Sequence, residues 1–562
     1  MAERKELQGM LDIPIIENPI DETFDNRSKA DKATKIVAKS IPLMWVYTAK
    51  ADDKGKFLEV KARLTMMGNF EKISLSHLDA TAPVAMPSTY RILMALHIGE
   101  PGVTFKSMDI AQAYLSTEMK RLVHIRHPPG YEFIEDEESG TPTYAELDRG
   151  EKPPQTKSRL LRALYGGMEC GRLFYEKFVK THMDMNYKGA TFTSMAYDKC
   201  VLVIEKSKDE YIKIVFHVDD SMIVVKGEAI WAWYLEELAK TFKFLVKEFS
   251  RFLGLTCKVD YEAGRIEIYQ TAQIKKMLRE FDMLDCSPAA SPMLSGKAPS
   301  VADVPTDVAE LAAVMASFPM RSCVGHGSYL QYTSRPEISN PLKLLSTSVG
   351  AFGKRHIELA IQMMRWLKGA MHIPLVIQSG FARTLQIFTD ASHAGCPDTR
   401  RSLSGVVVKL GGNTIYWLCV WQRIISHSSC ESELMALDRG ATIGLLLQRI
   451  TEFLGGAAVK PVDIFVDNQS TIDISSPNPI QMGRNLHVHA RFFFIKQLVG
   501  WKDYQLWHLP SGEQVADITV TFKGTGVFRY LFAIIMGCAR IQRDKHGRLS
   551  WNVGYLKSLE LP

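Results

Sequence analysis

Two apolar, β-rich runs flank an adjacent pair of acidic residues in the stretch YIKIVFHVDDSMIVVKG, from Tyr211 to Gly227. Val and Ile favour strands, so this stretch predicts a β-hairpin that carries Asp219 and Asp220 at its turn. Both runs have the composition of buried strands, which indicates a sheet inside a folded domain. The acidic pair has two explanations at this point, because Asp is a common turn residue and because two carboxylates can also hold a divalent metal ion.

The length and composition of the chain bound its class. With 562 residues it is too long for one hydrophobic core, and we expect about three or four domains. It is 46% hydrophobic and 23% charged, an ordinary globular composition, and its net charge of +6 is compatible with nucleic acid as a partner. The nine cysteines include no C-x-x-C pair, which argues against a disulfide framework or a zinc ribbon and indicates a reducing compartment. The N-terminus lacks the apolar core of a signal peptide, and no apolar run is long enough to span a bilayer. We therefore expect a soluble intracellular protein with no membrane partner.

Changes in composition divide the chain into five segments. Strand-like and helical patterns alternate in the second and fourth segments, which predicts α+β or α/β domains. Within the second segment, residues 128–155 are acidic and rich in Pro and Gly, so we expect an exposed insertion there. Residues 285–307 are rich in Ser, Pro and Ala and predict a linker, after which helical periodicity follows. The segments are a loose N-terminal arm at 1–34, a first α/β unit at 35–284, a linker with helices at 285–382, a second α/β unit at 383–530 and a C-terminal tail at 531–562.

A third acidic residue belongs with the hairpin. The stretch TFKSMDIAQAYLS predicts a strand that ends near Asp109, followed by a helical turn that this residue could simply cap. Three carboxylates at the tips of neighbouring strands, however, would repel one another strongly unless a divalent cation lay among them. Mg²⁺ prefers such oxygen ligands, and two such ions activate the attacking hydroxyl and stabilise the leaving oxygen in phosphoryl displacement. Asp109, Asp219 and Asp220 therefore predict a centre for nucleotidyl transfer.

The sequence around these residues resembles a known family. The strings KARLTMMGNFE, FKSMDIAQAYL, HPPGYE, LLRALYGGMECGRLFYEKF, FHVDDSMIVV and FLGL occur in the order found in reverse transcriptases of Ty1/copia-type retrotransposons. The resemblance implies that Asp109 is the first metal ligand of the palm and that the acidic pair is the Asp-Asp of the Y-V-D-D box. It implies that Lys61 and Arg63 meet the triphosphate of the incoming nucleotide, a role that suits a Lys point charge and a forked Arg. Tyr114 occupies the aromatic position that favours deoxynucleotides, although a plain core aromatic is an equal alternative for this residue.

Several positions depart from the family pattern. His217 stands where the family has Tyr, Met168 and Glu169 stand for Lys-Gln, Gly171 stands for Pro, and Met66 and Met67 stand for Ala-Arg. Replacing a cation by Met, or an amide by an acid, removes attraction to phosphate. These exchanges predict that polymerase activity could be weakened or lost while the metal ligands persist.

A second acidic set lies in the fourth segment. Asp390 lies in the strand-like LQIFTDAS, Asp467 at the end of the strand VDIFVD, and Asp517 in PSGEQVADI. Glu433 lies in the first turns of a long helix, for which the sequence predicts Ser429 or its neighbour as N-cap and Gly455 as the C-terminal stop. Ser511 and Gln514 have the spacing of a capping box, which predicts a short helix around Asp517. Each acid alone is more easily explained as a cap or a solvated charge. Four acids in a strand–helix–strand–helix pattern instead predict a metal site.

This segment resembles the ribonuclease H domain at the end of copia-type polyproteins. The matching strings are DASHAGCPDTRRSLSGVVVKLGG, SSCESELMAL, DNQSTI and EQVADI. The resemblance implies that the four acids bind two Mg²⁺ or Mn²⁺ ions, as in the first centre, and direct water at the RNA strand of an RNA–DNA hybrid. Glu431 is an alternative to Glu433 as the metal ligand on the helix, but the string ELMA around Glu433 fits the family pattern better. A helix with Arg484, His487 and Arg491 is either a substrate-side element or an amphipathic helix with a polar edge.

The resemblance extends from about Lys35 to Phe522. It implies a right-hand polymerase with fingers and palm at 35–284, thumb and connection helices within 285–382, and a ribonuclease H-like mixed α/β domain at 383–530. The chain contains no D-[ST]-G protease signature and no His/Cys zinc pattern, so it resembles a processed or truncated C-terminal part of a Pol polyprotein. The implied partners are an RNA template, a DNA primer, dNTPs, the RNA–DNA hybrid and other retroelement proteins such as capsid and integrase. The implied location is the cytoplasm, in virus-like particles, or the nucleus.

Three hypotheses about function follow from the sequence. The first is a working RNA-directed DNA polymerase with ribonuclease H activity. The second is a protein in which only the ribonuclease H remains active. The third is a degenerate or co-opted retroelement protein that binds nucleic acid without catalysis.

Overall fold

The computed structural model describes residues 2–11, 40–51, 57–71, 81–135, 142–148, 157–380, 383–456, 460–476, 486–521, 524–543 and 549–553. No helix within these ranges has both the length and the apolar character needed to cross a membrane. The architecture mixes helices with both antiparallel and parallel strands, in agreement with the predicted mixed α/β content.

The first part of the chain forms small antiparallel strand pairs and two helices. The elements are α1 (Ala2–Leu11), β1 (Leu43–Ala51), β2 (Phe57–Met66), α2 (Pro87–His97), β3 (Val103–Ile110), β4 (His124–Arg126), β5 (Tyr131–Glu135), β6 (Pro142–Glu146) and β7 (Lys157–Arg159). The described strands form three pairs here, β1 with β2, β4 with β7 and β5 with β6.

A six-stranded antiparallel sheet is the centre of the first α/β unit. The elements are α3 (Cys170–Met183), β8 (Asn186–Tyr187), β9 (Ala190–Thr191), β10 (Thr193–Ser194), β11 (Val201–Ser207), β12 (Glu210–His217), β13 (Asp220–Lys226), α4 (Glu228–Ala239) and β14 (Phe244–Glu248). The strand order is β10-β11-β12-β13-β3-β14, so β3 lies between two strands that come much later in the chain. Runs of Val and Ile make β12 and β13 almost continuously buried.

A helical region with a small sheet follows. The elements are β15 (Arg251–Phe252), β16 (Leu255–Asp260), β17 (Arg265–Tyr269), α5 (Thr271–Glu280), α6 (Val308–Ser317), α7 (Met320–Thr333), α8 (Ser339–Thr347), α9 (Lys354–Ala370) and β18 (Leu375–Gln378). The sheet has the order β15-β16-β17-β18, and its last strand follows the five helices in the chain.

A five-stranded mixed sheet forms the second α/β unit. The elements are β19 (Leu385–Ser392), β20 (Leu403–Leu410), β21 (Asn413–Trp421), α10 (Ser429–Phe453), β22 (Val462–Val466), α11 (Gln469–Ser475), α12 (Leu486–Gly500), β23 (Tyr504–His508), α13 (Thr525–Met536), β24 (Ala539–Arg543) and β25 (Leu549–Val553). The order of the sheet is β21-β20-β19-β22-β23. Neighbours among β19, β20 and β21 are antiparallel, whereas β22 and β23 run parallel to β19.

The two α/β units share one hydrophobic core, which extends from Ala85 to Trp551. Arg91 of α2 is 2% exposed and lies where the units meet. Its guanidinium donates to the carbonyl oxygens of Ile415 at 3.0 Å and Tyr332 at 2.9 Å, and its Cζ lies 3.9 Å from the ring centre of Trp417. A buried cation needs such acceptors, so this residue fixes the second unit against the first.

Four predictions about organisation differ from the structure. Residues 2–11 of the predicted loose arm form α1, because Leu7 packs into a cluster with Leu64 and Met66; residues 12–34 lie outside the described residues. The predicted exposed insertion contains the hairpin β5–β6, because Tyr131 is buried in the same cluster.

The linker and the tail differ for the same reason, namely packing. The segment at 285–307 is irregular but held on α9, where Arg365 donates to Ser287 O at 2.7 Å and Gln362 to Ser291 O at 2.9 Å. The predicted boundary at 530/531 falls inside α13, whose Phe532 is fully buried. The described part of the predicted tail is therefore core rather than tail.

Candidate catalytic centres

The predicted hairpin is confirmed as β12 and β13. His217 and Asp220 are its last paired residues, so Val218 and Asp219 form a two-residue turn. Val218 has a φ angle of 55°, in the left-handed region that β-branched residues avoid. Such strain costs on the order of 1–3 kcal/mol and is often found at functional sites.

The sheet register brings the third acid to the same place. Asp109 on β3 is the direct Cα partner of Asp220 on β13, and the Ile110 amide donates to Asp219 O at 3.0 Å. Asp109 is exposed, whereas Asp219 and Asp220 are half-buried. The three predicted ligands of the first centre thus lie on adjoining strand ends, at one edge of the six-stranded sheet.

Asp220 has a raised pKa. Burial raises its pKa to about 6, and the charges of Asp219 and Asp109 act in the same direction. The Leu253 amide opposes this by donating a hydrogen bond of 2.7 Å to Asp220 Oδ2. Leu253 is itself in the left-handed region with φ of 50°, and its carbonyl accepts from the Tyr329 hydroxyl. The loop after β15 therefore holds one carboxylate oxygen of the centre.

The predicted nucleotide-binding residues lie on β2. Lys61 and Arg63 occupy the half-buried face of this strand, which alternates with the buried residues Ala62, Leu64 and Met66. Arg63 Cζ lies 6.0 Å from the ring centre of Tyr165. The helix α1 packs beside them, where burial raises the pKa of Glu6 and the positive charges of Lys61 and Arg63 partly oppose that shift.

Tyr114 has features of both explanations offered for it. Its ring packs edge-to-face on Tyr165, with 5.2 Å between ring centres, and also contacts Phe174. Burial raises the pKa of Tyr114, and the nearby charge of Asp219 adds to the shift. The residue is a packed, half-buried aromatic that also lies beside the acidic turn.

One departure from the family pattern has a structural partner. Glu169 is buried, and Arg121 Nε donates to its Oε1 at 2.7 Å. The same guanidinium also bonds to Glu71, whose side chain is fully buried and accepts from the Met168 amide at 3.3 Å. Arg121 and Glu71 were not singled out from the sequence, because nothing local distinguishes them from surface charges.

The other departures have simpler surroundings. Burial lowers the pKa of His217, and its buried Nδ1 has no hydrogen-bond partner in the described part of the chain. Gly171 is the second residue of α3, where Pro would be tolerated. The Met67 amide donates to Pro42 O at 3.0 Å, which ties the end of β2 to the start of β1.

The second acidic set is more tightly assembled. Asp390, Glu433 and Asp467 each offer a carboxylate oxygen, and these oxygens lie within 4.8 Å of one another. Within the described residues this is the one group of three metal-ligand side chains that meets this spacing, so the acids of the first centre are less converged. The order of the mixed sheet explains the assembly, because β19 and β22 are parallel neighbours and α10 packs across them.

Electrostatics in the second centre favour a cation. Asp390 is 4% exposed, and burial raises its pKa well above the ordinary value. The charges of Asp517, Glu433 and Asp467 raise it further, and Asp390 is within hydrogen-bonding reach of the Asp517 carboxyl. Buried carboxylates that repel one another in this way are suited to a divalent ion, which would relieve the repulsion.

The structure distinguishes the two glutamates of α10. Ser428 is the N-cap residue and accepts from the Glu431 amide at 3.1 Å, while Glu431 Oε2 accepts from the His427 amide at 2.7 Å. The Glu431 carboxylate therefore binds the backbone just before the N-cap of the helix. Glu433 instead accepts from the Ala391 amide at 3.0 Å, next to Asp390.

Asp517 reaches the centre from a 3-10 helix, Val515–Thr519. Its Oδ2 accepts from Ser511 Oγ at 3.3 Å. The capping box predicted for Ser511 and Gln514 is wrong, because two short 3-10 helices replace the single helix and Gln514 caps the second one. Gly405, the partner of Asp390 on β20, permits the approach, since a Cβ there would lie 2.3 Å from Thr519 Oγ1.

The helix with three basic residues is α12. Arg491 forms an ion pair with Asp438 of α10, with 3.2 Å between Nε and Oδ2. Arg484 and the side chain of His487 lie outside the described residues. In the described part, Arg491 thus joins two helices of the second unit.

These observations first define a class: a protein with two sheets, each carrying a separate set of acidic residues of the kind that hold divalent ions. Residues 32–295 match the family model described as reverse transcriptase (RNA-dependent DNA polymerase). These residues therefore form a reverse transcriptase domain, and the chain is similar to the Pol polyproteins of Ty1/copia-type retrotransposons.

The relatives are long polyproteins. The Pol polyprotein from transposon TNT 1-94 of Nicotiana tabacum is 26% identical over 475 residues, which cover 84% of this chain and 34% of the relative. The Pol polyprotein from transposon RE1 of Arabidopsis thaliana is 24% identical over 479 residues, 84% of this chain and 30% of the relative. The chain thus spans about a third of the length of these curated relatives.

Solved structures give weaker likenesses. A foamy viral protease-reverse transcriptase in complex with double-stranded DNA has a TM-score of 0.44 and 10% identity, covering 91% of this chain and 70% of that chain. The ribonuclease H1 called LC11 has a TM-score of 0.19 and 20% identity, covering 25% of this chain and 94% of that chain.

Proposed function

We propose that this chain is an RNA-directed DNA polymerase with ribonuclease H activity, which copies retrotransposon RNA into DNA and degrades the RNA of the hybrid. The observation that carries the proposal is the pairing of Asp109 with Asp220 at the edge of the first sheet, within a reverse transcriptase domain. The second centre, on the mixed sheet, supplies the candidate nuclease. The substrates would be an RNA template, a DNA primer, dNTPs and the RNA–DNA hybrid.

The residues of each centre have distinct proposed roles. Asp109, Asp219 and Asp220 would hold Mg²⁺ or Mn²⁺ in the first centre, and Asp390, Glu433, Asp467 and Asp517 would do so in the second. Two bound divalent ions would supply an activated oxygen nucleophile and stabilise the leaving oxygen. Lys61 and Arg63 would bind the triphosphate, and Tyr114 would exclude a ribose 2′-hydroxyl from its place beside Asp219.

The subdomain names are part of the same proposal. The pair β1–β2 corresponds to fingers, the six-stranded sheet to the palm and the helices α5 to α9 to the thumb and connection. We also propose location in the cytoplasm or nucleus and association with capsid or integrase proteins. Imaging of the tagged chain and co-purification with capsid would test these two points.

A second candidate function is ribonuclease H activity alone. The favouring observation is that Asp390, Glu433 and Asp467 converge within 4.8 Å, whereas one oxygen of Asp220 is held by the Leu253 amide. The departures at Met67, Met168, Gly171 and His217 add to this case, because they lie in strings that grip the substrate in the family.

Separation-of-function variants test both candidates. Purified full-length protein is assayed for primer extension on an RNA template and for cleavage of a labelled hybrid, both with Mg²⁺. For the full proposal, Asp219→Asn abolishes extension and spares cleavage, while Asp467→Asn does the reverse. The controls are Asp184→Asn and Asp473→Asn, both exposed acids on helices or helix ends, which should leave both activities unchanged.

The outcomes separate the hypotheses. Cleavage without extension in the parent chain supports the ribonuclease H alternative. Absence of both activities, with salt-sensitive binding of the hybrid retained, would establish a co-opted binding protein instead.

A further inference from the structure

Gln514 is a buried polar residue beside the second centre that the proposed chemistry does not use. Its side chain is fully buried, directly before the 3-10 helix that carries Asp517. Burying an amide is favourable only when its hydrogen bonds are satisfied. The partners of this amide therefore show what the residue holds together.

The amide nitrogen of Gln514 bridges two strands. Its Nε2 donates to Thr389 O of β19 and to Phe465 O of β22, each at 3.1 Å. Thr389 directly precedes Asp390, and Phe465 lies two residues before Asp467. One side chain thus connects the two strands immediately before their acids.

The bridge lies where the strand pairing stops. The parallel register of β19 and β22 runs from Gln386 with Asp463 to Phe388 with Phe465. Beyond that pair, the carbonyl groups of Thr389 and Phe465 receive the two hydrogens of the Gln514 amide. The side chain thus joins the two strands by hydrogen bonds at a point where their backbones are no longer paired.

The amide oxygen connects the third element. Gln514 Oε1 accepts from the Ala516 amide at 3.3 Å, which caps the 3-10 helix Val515–Thr519. The Asp517 amide in turn donates to Gln514 O at 3.1 Å. Gln514 is therefore bonded to every element that supplies Asp390, Asp467 and Asp517.

We propose that Gln514 is a positioning residue, which sets the spacing of these three carboxylates and thereby the affinity of the second centre for divalent ions. The inference rests on the proposed function, since it assumes that the acids hold a metal. Residues that orient metal ligands typically change metal affinity by about 10- to 100-fold when they are replaced.

The test measures metal binding rather than turnover alone. The full-length chain carries Asp219→Asn and Asp220→Asn throughout, so that Mn²⁺ binding measured by calorimetry reports the second centre. Gln514→Met keeps the side-chain length and removes the donors and the acceptor. We expect its Mn²⁺ Kd to rise about tenfold or more, and the Mn²⁺ midpoint for hybrid cleavage to rise in parallel.

Gln386→Met is the matched control. Gln386 is a buried glutamine on the same strand, four residues before Asp390, and its Nε2 donates to Ile541 O at 3.3 Å, on a strand that carries none of the four acids. This control should lower the melting temperature while its Mn²⁺ Kd stays within about twofold of the parent. Gln514→Glu, which retains the acceptor for Ala516 and loses the two donors, provides a second variant if Gln514→Met does not fold.

Each outcome decides one point. Weaker Mn²⁺ binding in a folded Gln514 variant, but not in the Gln386 variant, supports the inference. An unchanged Mn²⁺ Kd with a lowered melting temperature overturns it, because Gln514 would then be a structural residue only. If the parent itself binds no Mn²⁺, the proposed function of the second centre fails first.

Discussion

Arg121 Nε donates a hydrogen bond of 2.7 Å to Glu169 Oε1, across a separation of 48 residues in the chain. Glu169 stands where the family has Gln, and its negative charge alone would repel a phosphate. The ion pair changes that interpretation, because the guanidinium balances the charge and also bonds to the buried Glu71. This departure is therefore an internal contact of the first unit.

Glu169→Gln, which restores the family residue, should not increase primer extension. It should instead lower stability by about 1–3 kcal/mol, since Arg121 loses a charged partner in a mostly buried site. Thermal melting and extension rates check this, with Glu176→Gln in the helix that follows Glu169 as a control of little effect, since its side chain is 40% exposed. Faster extension at an unchanged melting temperature would contradict it.

Asp220 should make the stability of the metal-free protein depend on pH. Its pKa is raised from the ordinary value to about 6, so between about pH 4 and 6 the folded state binds more protons than the unfolded state. Stability contributed by the protonated carboxyl is present below that window and lost as pH rises through it, by at most about 3 kcal/mol. Melting temperatures in EDTA across this range measure the effect.

Asp220→Asn should flatten the part of that pH dependence that belongs to this residue. Comparing the two proteins removes the contribution of Asp390, whose pKa is also raised. Mg²⁺ should stabilise the parent more above pH 6 than below it, since the ion competes with the proton. A parallel pH profile in both proteins would rule out Asp220 as its source.

Gly405→Ala should impair the second centre. The added Cβ would lie 2.3 Å from Thr519 Oγ1 and 3.0 Å from Ala516 O, so the 3-10 helix with Asp517 must move. Overpacking of this kind costs about 1–3 kcal/mol, and we expect slower hybrid cleavage with primer extension retained. Gly500→Ala, where a Cβ meets nothing within 4 Å, should change neither activity.

Arg91→Met should loosen the contact between the two α/β units. The change leaves the carbonyls of Ile415 and Tyr332 without their charged donor, at an expected cost of about 3 kcal/mol. Limited proteolysis and thermal melting should show easier separation of the units. Arg449→Met is the control, because Arg449 also crosses this boundary, to Tyr197 at 2.7 Å, but is exposed.

Glu6→Gln should strengthen dNTP binding at the first centre. Glu6 lies beside Lys61 and Arg63, where its charge competes with a triphosphate for the two cations. Neutralising it should lower the KM for dNTP about two- to fivefold with kcat unchanged. Glu3→Gln on the same helix, whose carboxylate accepts from Tyr131 at 2.7 Å, should leave KM unaltered.

The hairpin at Asp219 and the strand with Asp109 could be predicted because their signals are local. Strand composition, turn length and apolar runs act within about ten residues, and the ladder follows from them. The ends of α10 were predictable for the same reason, from its Ser cap and from Gly455, which has φ of 87°. The β5–β6 hairpin was not predicted, because its acidic, Gly-rich sequence is typical of a loop. The hairpin depends on burial of Tyr131 in a cluster with residues that are distant in the chain.

The sequence by itself determined the identity of the acids, the elements that carry them and the resemblance to Ty1/copia-type reverse transcriptases. Only the tertiary structure decided how closely each set of acids converges, and which of Glu431 and Glu433 faces the second centre. It also decided that Glu169 is paired with Arg121 and that Gln514 bridges the two strands just before Asp390 and Asp467. The physical reason is that hydrogen bonds and burial between distant segments depend on sheet order and helix packing, which residue spacing alone does not specify.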